Sequence, residues 1–278
     1  MIYLALSIFC SVTVGVLLKL SKRYQINIPQ AITWNYLFAI GLSAFFFRPD
    51  LNELNVSAIH IILGVLLPTI FIFLALSVQR TGLARTDIAQ RLSLFISLLA
   101  TYFIFKENYS TLKYCGIAIG FLAIIFTLYR KSSVQVHYTD WLYPLLVFVG
   151  FGVIDVCFKL ISQYTTSSLF IIFCIAFLLS LCYILYLAIV NKMKLQLINF
   201  ICGCILGFFN FGNILFYMKA HRAMANDPSI VFAAMNMGVI VCGSLIGVLI
   251  FKERLSKLNY FGLGLALSAI ILITLAIY

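Results

Sequence analysis

Apolar stretches of roughly 18 to 22 residues recur from one end of the chain to the other, each closed by a short polar interruption. They fall near residues 2–20, 31–48, 57–79, 84–104, 111–129, 141–162, 166–190, 197–219, 227–250 and 258–277. As a helix rising about 1.5 Å per residue, each is long enough to cross a hydrocarbon layer about 30 Å thick. Inside that layer a backbone satisfies its own N–H and C=O groups only as a helix or a closed barrel, and unbroken runs of this length select helices. The connections are short, the longest running from Arg130 to Asp140 between the fifth and sixth stretches. Tyr109, Tyr129, Trp141 and Tyr260 near segment ends read as interface anchors. The pattern predicts an all-α polytopic membrane protein with ten transmembrane helices.

The second half of the pattern echoes the first. Phe105-Lys106-Glu107 and Phe251-Lys252-Glu253 lie 146 residues apart, and each closes an apolar stretch. Gly116 falls opposite Gly262 at the same offset, while Lys19 falls opposite Lys159 at an offset of 140. The change of offset implies a small insertion around Asn226-Asp227-Pro228. Duplication predicts two five-helix repeats, residues 1–132 and 133–278, that together form one membrane domain. An odd number of crossings per repeat forces the halves into opposite senses, which makes this an inverted repeat about an axis in the membrane plane.

Composition agrees and narrows the function classes. Hydrophobic residues make up 64% of the chain, mean hydropathy is +1.11, and charged residues are 10% against about 25% in a soluble domain. The first stretch has neither a basic n-region nor a small-residue cleavage site, so it reads as a span and not a signal peptide. All eight cysteines fall within apolar segments, and Cys202 and Cys204 have no histidine at ligand spacing. They read as small apolar filler; no metal and no cofactor is expected. A net charge of +11 would suggest nucleic acid in a soluble protein. Here the basic residues punctuate the spans, where lipid headgroups and orientation account for them, so the expected partners are membrane lipid and a small molecule, with no nucleic acid. Twelve basic residues fall at the odd-numbered connections and six at the even ones, which favours cytoplasmic odd connections and external termini.

Polar groups at membrane depth are where function is expected. Arg91 lies in the fourth stretch with Asp87 one turn before it, and Asp155 and Lys159 repeat this spacing in the sixth. An acid four residues before a base can form an intrahelical pair that lowers the cost of inserting both. Such a pair either neutralises itself or leaves a base for which an acidic substrate group, or a proton on the aspartate, competes. Arg91 and Lys159 are therefore candidate substrate-binding residues, and Asp155, then Asp87, candidates for proton coupling. Gln90, Asn35, Trp34 and Asn236 add uncharged polar lining. Asn210 and Asn213 sit three apart among phenylalanines, with Tyr217 one turn on, and can bond substrate or another helix.

Pro68 predicts a kink in the third span. Gly116/Gly120 and Gly243/Gly247, with Gly262, Gly264 and Ser268, read as seams of close helix approach. Glu107 and Glu253 sit where a span meets water and read as structural, pairing with a base or capping the next helix.

Ten spans in two halves, Gly15 to Lys19 with Gly152 to Lys159, and Phe105-Lys106-Glu107 with Phe251-Lys252-Glu253-Arg254, followed by Gly116 and Gly262, together resemble the drug/metabolite transporter superfamily, specifically its EamA-type members. Cys10-Ser11-Val12 stands where that family often has a Trp-Gly pair. The resemblance covers essentially the whole chain. It implies a secondary transporter of the bacterial inner membrane that moves a small polar metabolite by alternating access around a central cavity. It also implies cytoplasmic termini, against the charge count, and the family includes flippases. The embedded bases favour a carboxylate- or phosphate-bearing cargo such as an amino acid or organic acid; a flippase for a lipid-linked or amphipathic substrate is the alternative. An intramembrane enzyme is disfavoured because His60, His137 and His221 lie near segment ends and no H-E-x-x-H spacing occurs. A channel is disfavoured for want of a filter-like loop or acidic ring. No oligomer is required.

Overall fold

Eleven α-helices make the ten crossings: α1 (Ile2–Arg23), α2 (Ile28–Phe47), α3 (Ala58–Thr81), α4 (Leu83–Leu92), α5 (Leu94–Phe103), α6 (Thr111–Leu128), α7 (Leu142–Ile161), α8 (Ser168–Asn191), α9 (Leu197–Ala223), α10 (Pro228–Leu249) and α11 (Lys257–Leu275). A 3-10 turn, Tyr138–Trp141, leads into α7. The computed structural model describes residues 1–49, 56–81, 83–128, 138–163, 168–191, 195–252 and 256–276. Tyr129 and Glu253-Arg254, and the boundary expected between the repeats at 132/133, lie outside the described residues. Eight of the helices are long and apolar enough to span a membrane, and Thr111–Thr127 is a shorter apolar helix.

The fourth span is where a continuous helix was expected over 84–104 and two are found. The chain steps from α4 to α5 at Ser93, whose hydroxyl donates back to the Gln90 carbonyl at 2.6 Å. The Ile96 N–H then reaches Ser93 O at 2.9 Å, a three-residue closure that tightens the turn. Serine back-bonding of this kind competes with the ladder and bends helices. The third span behaves in the opposite way, because α3 runs unbroken through Pro68.

Packing repeats with the halves exchanged. The first helix of each half lies on the third of the other, α1 on α9 as α7 on α3, and the second follows, α2 on α9 as α8 on α3. The α1–α10 contact is matched by α7 with α4 and α5, while α2 meets α8 and α6 meets α11 across the pseudo-axis. With five crossings in each half, this is the inverted repeat that the sequence predicts.

Phe105-Lys106 and Phe251-Lys252 end a span in the same way. Lys106 and Lys252 each adopt a φ of 52°. The amides of Phe105 and Phe251 reach back to Ala100 O and Ile246 O at 3.1 and 3.5 Å. Each phenylalanine ring also receives the lysine from the first helix of the opposite half. Lys19 Nζ lies 3.8 Å from the Phe251 centroid, and Lys159 Nζ lies 5.9 Å from that of Phe105. Tyr109, in the turn after the first copy, bonds Leu98 O at 3.1 Å and the Thr101 hydroxyl, and burial pushes its phenol up to about 12.

The α6–α11 seam is built on glycine. A side chain at Gly262 would lie 2.4 Å from Thr127 N, and one at Gly116 would lie 2.6 Å from Ile273 Cγ1. Gly243 and Gly264 are not seam positions, since a Cβ at either meets nothing within 4 Å.

Candidate functional site

The described polar groups converge where α4, α5, α7 and α9 meet. The Asp155 carboxylate on α7 accepts from Tyr217 Oη on α9 at 3.0 Å and from Ser97 Oγ on α5 at 3.2 Å. Arg91, in the last turn of α4 just before the Ser93 break, lies in electrostatic reach of Asp155 and of Asp87. No ion pair to its guanidinium within 4 Å occurs among the described residues. Asp87, Gln90, Arg91 and Asp155 are half-buried, in contrast to the sealed core around them. A cation and an anion therefore sit close together with unequal satisfaction: the carboxylate has two hydroxyl donors, and the guanidinium keeps donor capacity for a guest.

The Asp155–Lys159 pair expected from spacing does not form. Lys159 instead donates to Ala225 O at 2.8 Å and His221 O at 3.5 Å, so its ammonium serves the carbonyl end of α9. It is 1% exposed, and tertiary partners displace the local one. Asn210 Nδ2 donates to Asn35 Oδ1 at 3.2 Å, and Ser7 Oγ donates to Asn213 Oδ1 at 2.9 Å, so these amides tie α9 to α2 and α1. Asn236 donates to Phe232 O of its own helix. Trp34 packs edge-on to Phe200 and lines a wholly apolar groove of about 240 Å³ with Leu37, Phe38 and Cys204. Of the expected residues, the structure brings together Arg91, Asp155, Tyr217 and Asp87; Gln90 precedes Arg91 on α4, and the others are held elsewhere.

Two participants carried no usable sequence signal. Ser97 belongs to an apolar helix and is one of several buried serines. His221, expected near a segment end, is fully buried between the rings of Tyr217 and Phe232, each centroid 4.6 Å away.

The two ends of the site are unlike, although the halves that build them are alike. At the end carrying Phe251, Lys19 of α1 is exposed, and α4 from Asp87 to Leu92 is half-buried throughout. At the end carrying Phe105, the counterparts Lys159, Phe158 and Ile161 of α7 are buried, as are Ala233, Ala234, Asn236 and Met237 of α10. Arg222 Nε donates to Ser162 O at 3.0 Å across the same closure. There Glu107 accepts from Lys113 Nζ at 2.7 Å and from Ser229 N and Oγ at 3.0 and 2.5 Å. Lys113 also meets Asp227 at 2.8 Å. Glu107 thus does pair with a base and cap a helix, but the helix is α10 in the other half. Among the described residues, those named at the Phe251 end are half-buried or exposed, and their counterparts at the Phe105 end are buried.

Residues 1–129 match the EamA-like transporter family. A Haemophilus influenzae protein described as uncharacterized is 39% identical over 278 residues, covering 96% of this chain and 95% of its own. A solved structure, titled as the crystal structure of a protein, shares the fold with a TM-score of 0.74 over 98% of both chains at 16% identity.

Proposed function

The chain belongs to the EamA-like transporter family, and on that premise we propose that it is a secondary transporter moving a small carboxylate- or phosphate-bearing metabolite by alternating access. The observation that carries this reading is Arg91: a guanidinium at membrane depth, half-buried, with no ion pair inside 4 Å among the described residues. An acidic group of the cargo completes it, giving the charge-assisted pairing that arginine geometry favours. Gln90 lies beside Arg91, and Tyr217 and Asp155 face the rest of the cargo. Asp155 is the proposed proton-coupling group and Asp87 the secondary one, because each is an acid whose charge state the nearby guanidinium senses. Lys159 acts in the seal; Asn35, Asn210, Asn213, Asn236 and Trp34 shape the walls around the site. The repeats 1–132 and 133–278 together form one domain of the bacterial inner membrane, and the bodies that rock within it each draw helices from both repeats, α1 and α2 with α9, and α7 and α8 with α3.

Flippase activity is the second reading, and the apolar groove beside Trp34 is what favours it, since an acyl chain fits a wall with no polar lining. The test is counterflow into proteoliposomes with a panel of amino acids, organic acids and sugar phosphates. Arg91→Ala is expected to cut uptake of the transported anion roughly 30-fold or more, as loss of a buried charged partner does, while helicity and size-exclusion profile hold. Uptake retained with unchanged selectivity removes the basis for an anionic cargo. Asp155→Asn is expected to abolish accumulation driven by a pH gradient and to spare exchange.

A further inference from the structure

We propose that His221 is a second proton-binding residue of the carrier, linked to Asp155 through Tyr217. The inference rests on the proton-coupling role given to Asp155 above and extends it one helical turn toward the Phe105 end.

Packing alone does not account for the imidazole. It is fully buried between the rings of Tyr217 and Phe232, each centroid 4.6 Å away. Neither ring nitrogen has a hydrogen-bond partner among the described residues. A neutral imidazole carries one N–H donor and one acceptor, and burying either unmet costs about 1–3 kcal/mol. An apolar ring fills such a slot without that cost. The first half shows the same helix crossing, α3 on α4, closed another way. Ser77, Thr81 and Thr86 stand there in the places of Tyr217, His221 and Phe232, at offsets of 140, 140 and 146 residues. Ser77 bonds the Thr86 hydroxyl at 2.7 Å, and the Thr81 hydroxyl donates to Ser77 O at 2.9 Å, so every hydroxyl has a partner. Gly15 stands where Asp155 does. The acid, the phenol and the imidazole thus occur together in one half, where Tyr217 Oη donates to Asp155 at 3.0 Å.

The groups around the ring set its state. Lys159 of α7 donates to the His221 carbonyl at 3.5 Å and to Ala225 O, with Glu107 in electrostatic reach beyond it. On α9, Tyr217 is turned to Asp155 and Arg222 to Ser162 O. Phe232 comes from α10, and α1 and α2 meet α9 through Ser7 and Asn35. With an ammonium close by and no carboxylate within 4 Å among the described residues, the ring is neutral here. Asp155, holding two hydroxyl donors, is the carboxylate, so this conformation is the proton-free one.

A single proton then has two places. On Asp155 it neutralises the acid at the cargo site. On His221 it lies nearer the Phe105 end and is favoured by the Asp155 carboxylate left behind. Moving it breaks the O–H bond on Asp155 and forms one on Tyr217 Oη, while the phenol's own O–H breaks and an N–H forms on His221. Tyr217 ends neutral, and its ring contact with His221 gives way to a hydrogen bond during the step.

Nitrogen NMR of the histidine-labelled carrier in nanodiscs reads the ring directly, the resonance lost in His221→Gln being that of His221. At a fixed, mildly acidic pH its imidazolium fraction is expected to fall about tenfold in Asp155→Asn, which removes the favouring carboxylate. A fraction unchanged in Asp155→Asn overturns the link, and a ring neutral at every pH the fold survives overturns proton binding itself. Under a gradient of about one pH unit, His221→Gln and His221→Phe are each expected to lower accumulation relative to exchange by up to about tenfold. Tyr217→Phe, which keeps the ring and loses the hydroxyl, is expected to do likewise. Native accumulation and pH profile in both His221 variants mark a packing residue and overturn the proposal. So does a loss in His221→Gln that His221→Phe, which refills the slot, restores. No transport of any cargo in the panel, with the His221 resonance still answering to Asp155→Asn, sinks the carrier reading and supports the proton link.

Discussion

At the scale of single residues, the repeated tripeptide does its work through backbone conformation and one ring. Lys106 and Lys252 both hold a φ of 52°, a left-handed conformation that costs an L-residue about 1–2 kcal/mol. Glycine takes it without that cost and is the usual residue after a helix end. Lys106→Gly and Lys252→Gly are each expected to raise stability by about 1 kcal/mol, seen as a later thermal unfolding midpoint in detergent. A lower midpoint means that the lysine side chains contribute more than the strain removes. The tripeptide was legible as a repeat and as a structural element, but its partners were not. Glu107 caps a helix 122 residues away, a distance that no local spacing records. Asp155 and Lys159 fail in the reverse direction: four-residue spacing suggests a pair, and hydroxyls from α5 and α9 and carbonyls at the end of α9 offer each group better partners.

Among elements, length and apolarity carry almost everything about where helices lie, and little about which faces meet. Nine of the ten expected spans appear as single helices, and the tenth breaks at Ser93, where a hydroxyl bonds its own backbone two residues after Arg91. The glycine spacings show the limit well. Gly116/Gly120 and Gly243/Gly247 have the same spacing, yet only the first pair lies in the α6–α11 seam. Gly262→Ala puts a Cβ 2.4 Å from a backbone nitrogen of α6, which has nowhere to go, and is expected to cost about 1–3 kcal/mol. Gly243→Ala meets open space and gains helix propensity, so it is expected to be neutral or stabilising by up to about 1 kcal/mol. Unfolding titrations in mixed micelles separate the two; equal losses mean that the seam is not where the close approach lies.

For the whole molecule, the sequence reveals two equal halves and cannot reveal that they are caught in unequal positions. That inequality arises from packing, and it gives opposite consequences to equivalent substitutions. Lys159 is buried and donates to two carbonyls at and just beyond the end of α9, while Lys19 is exposed beside Phe251. Lys159→Met leaves buried carbonyls short of a donor and weakens the present conformation by about 1–3 kcal/mol. Lys19→Met costs this conformation less, because its site is open to water. On the proposed alternating access the roles exchange in the reversed conformation, since the matched helices of the two halves make matched contacts, and the loss of Lys19 then falls on the closed state. The two variants should therefore move the carrier in opposite directions. Hydrogen exchange in nanodiscs should rise at residues 224–227 and fall at 24–27 in Lys159→Met, with the reverse in Lys19→Met. If both variants raise exchange at the same end, the lysines are local props, and the pseudo-two-fold axis describes the scaffold without describing its motion.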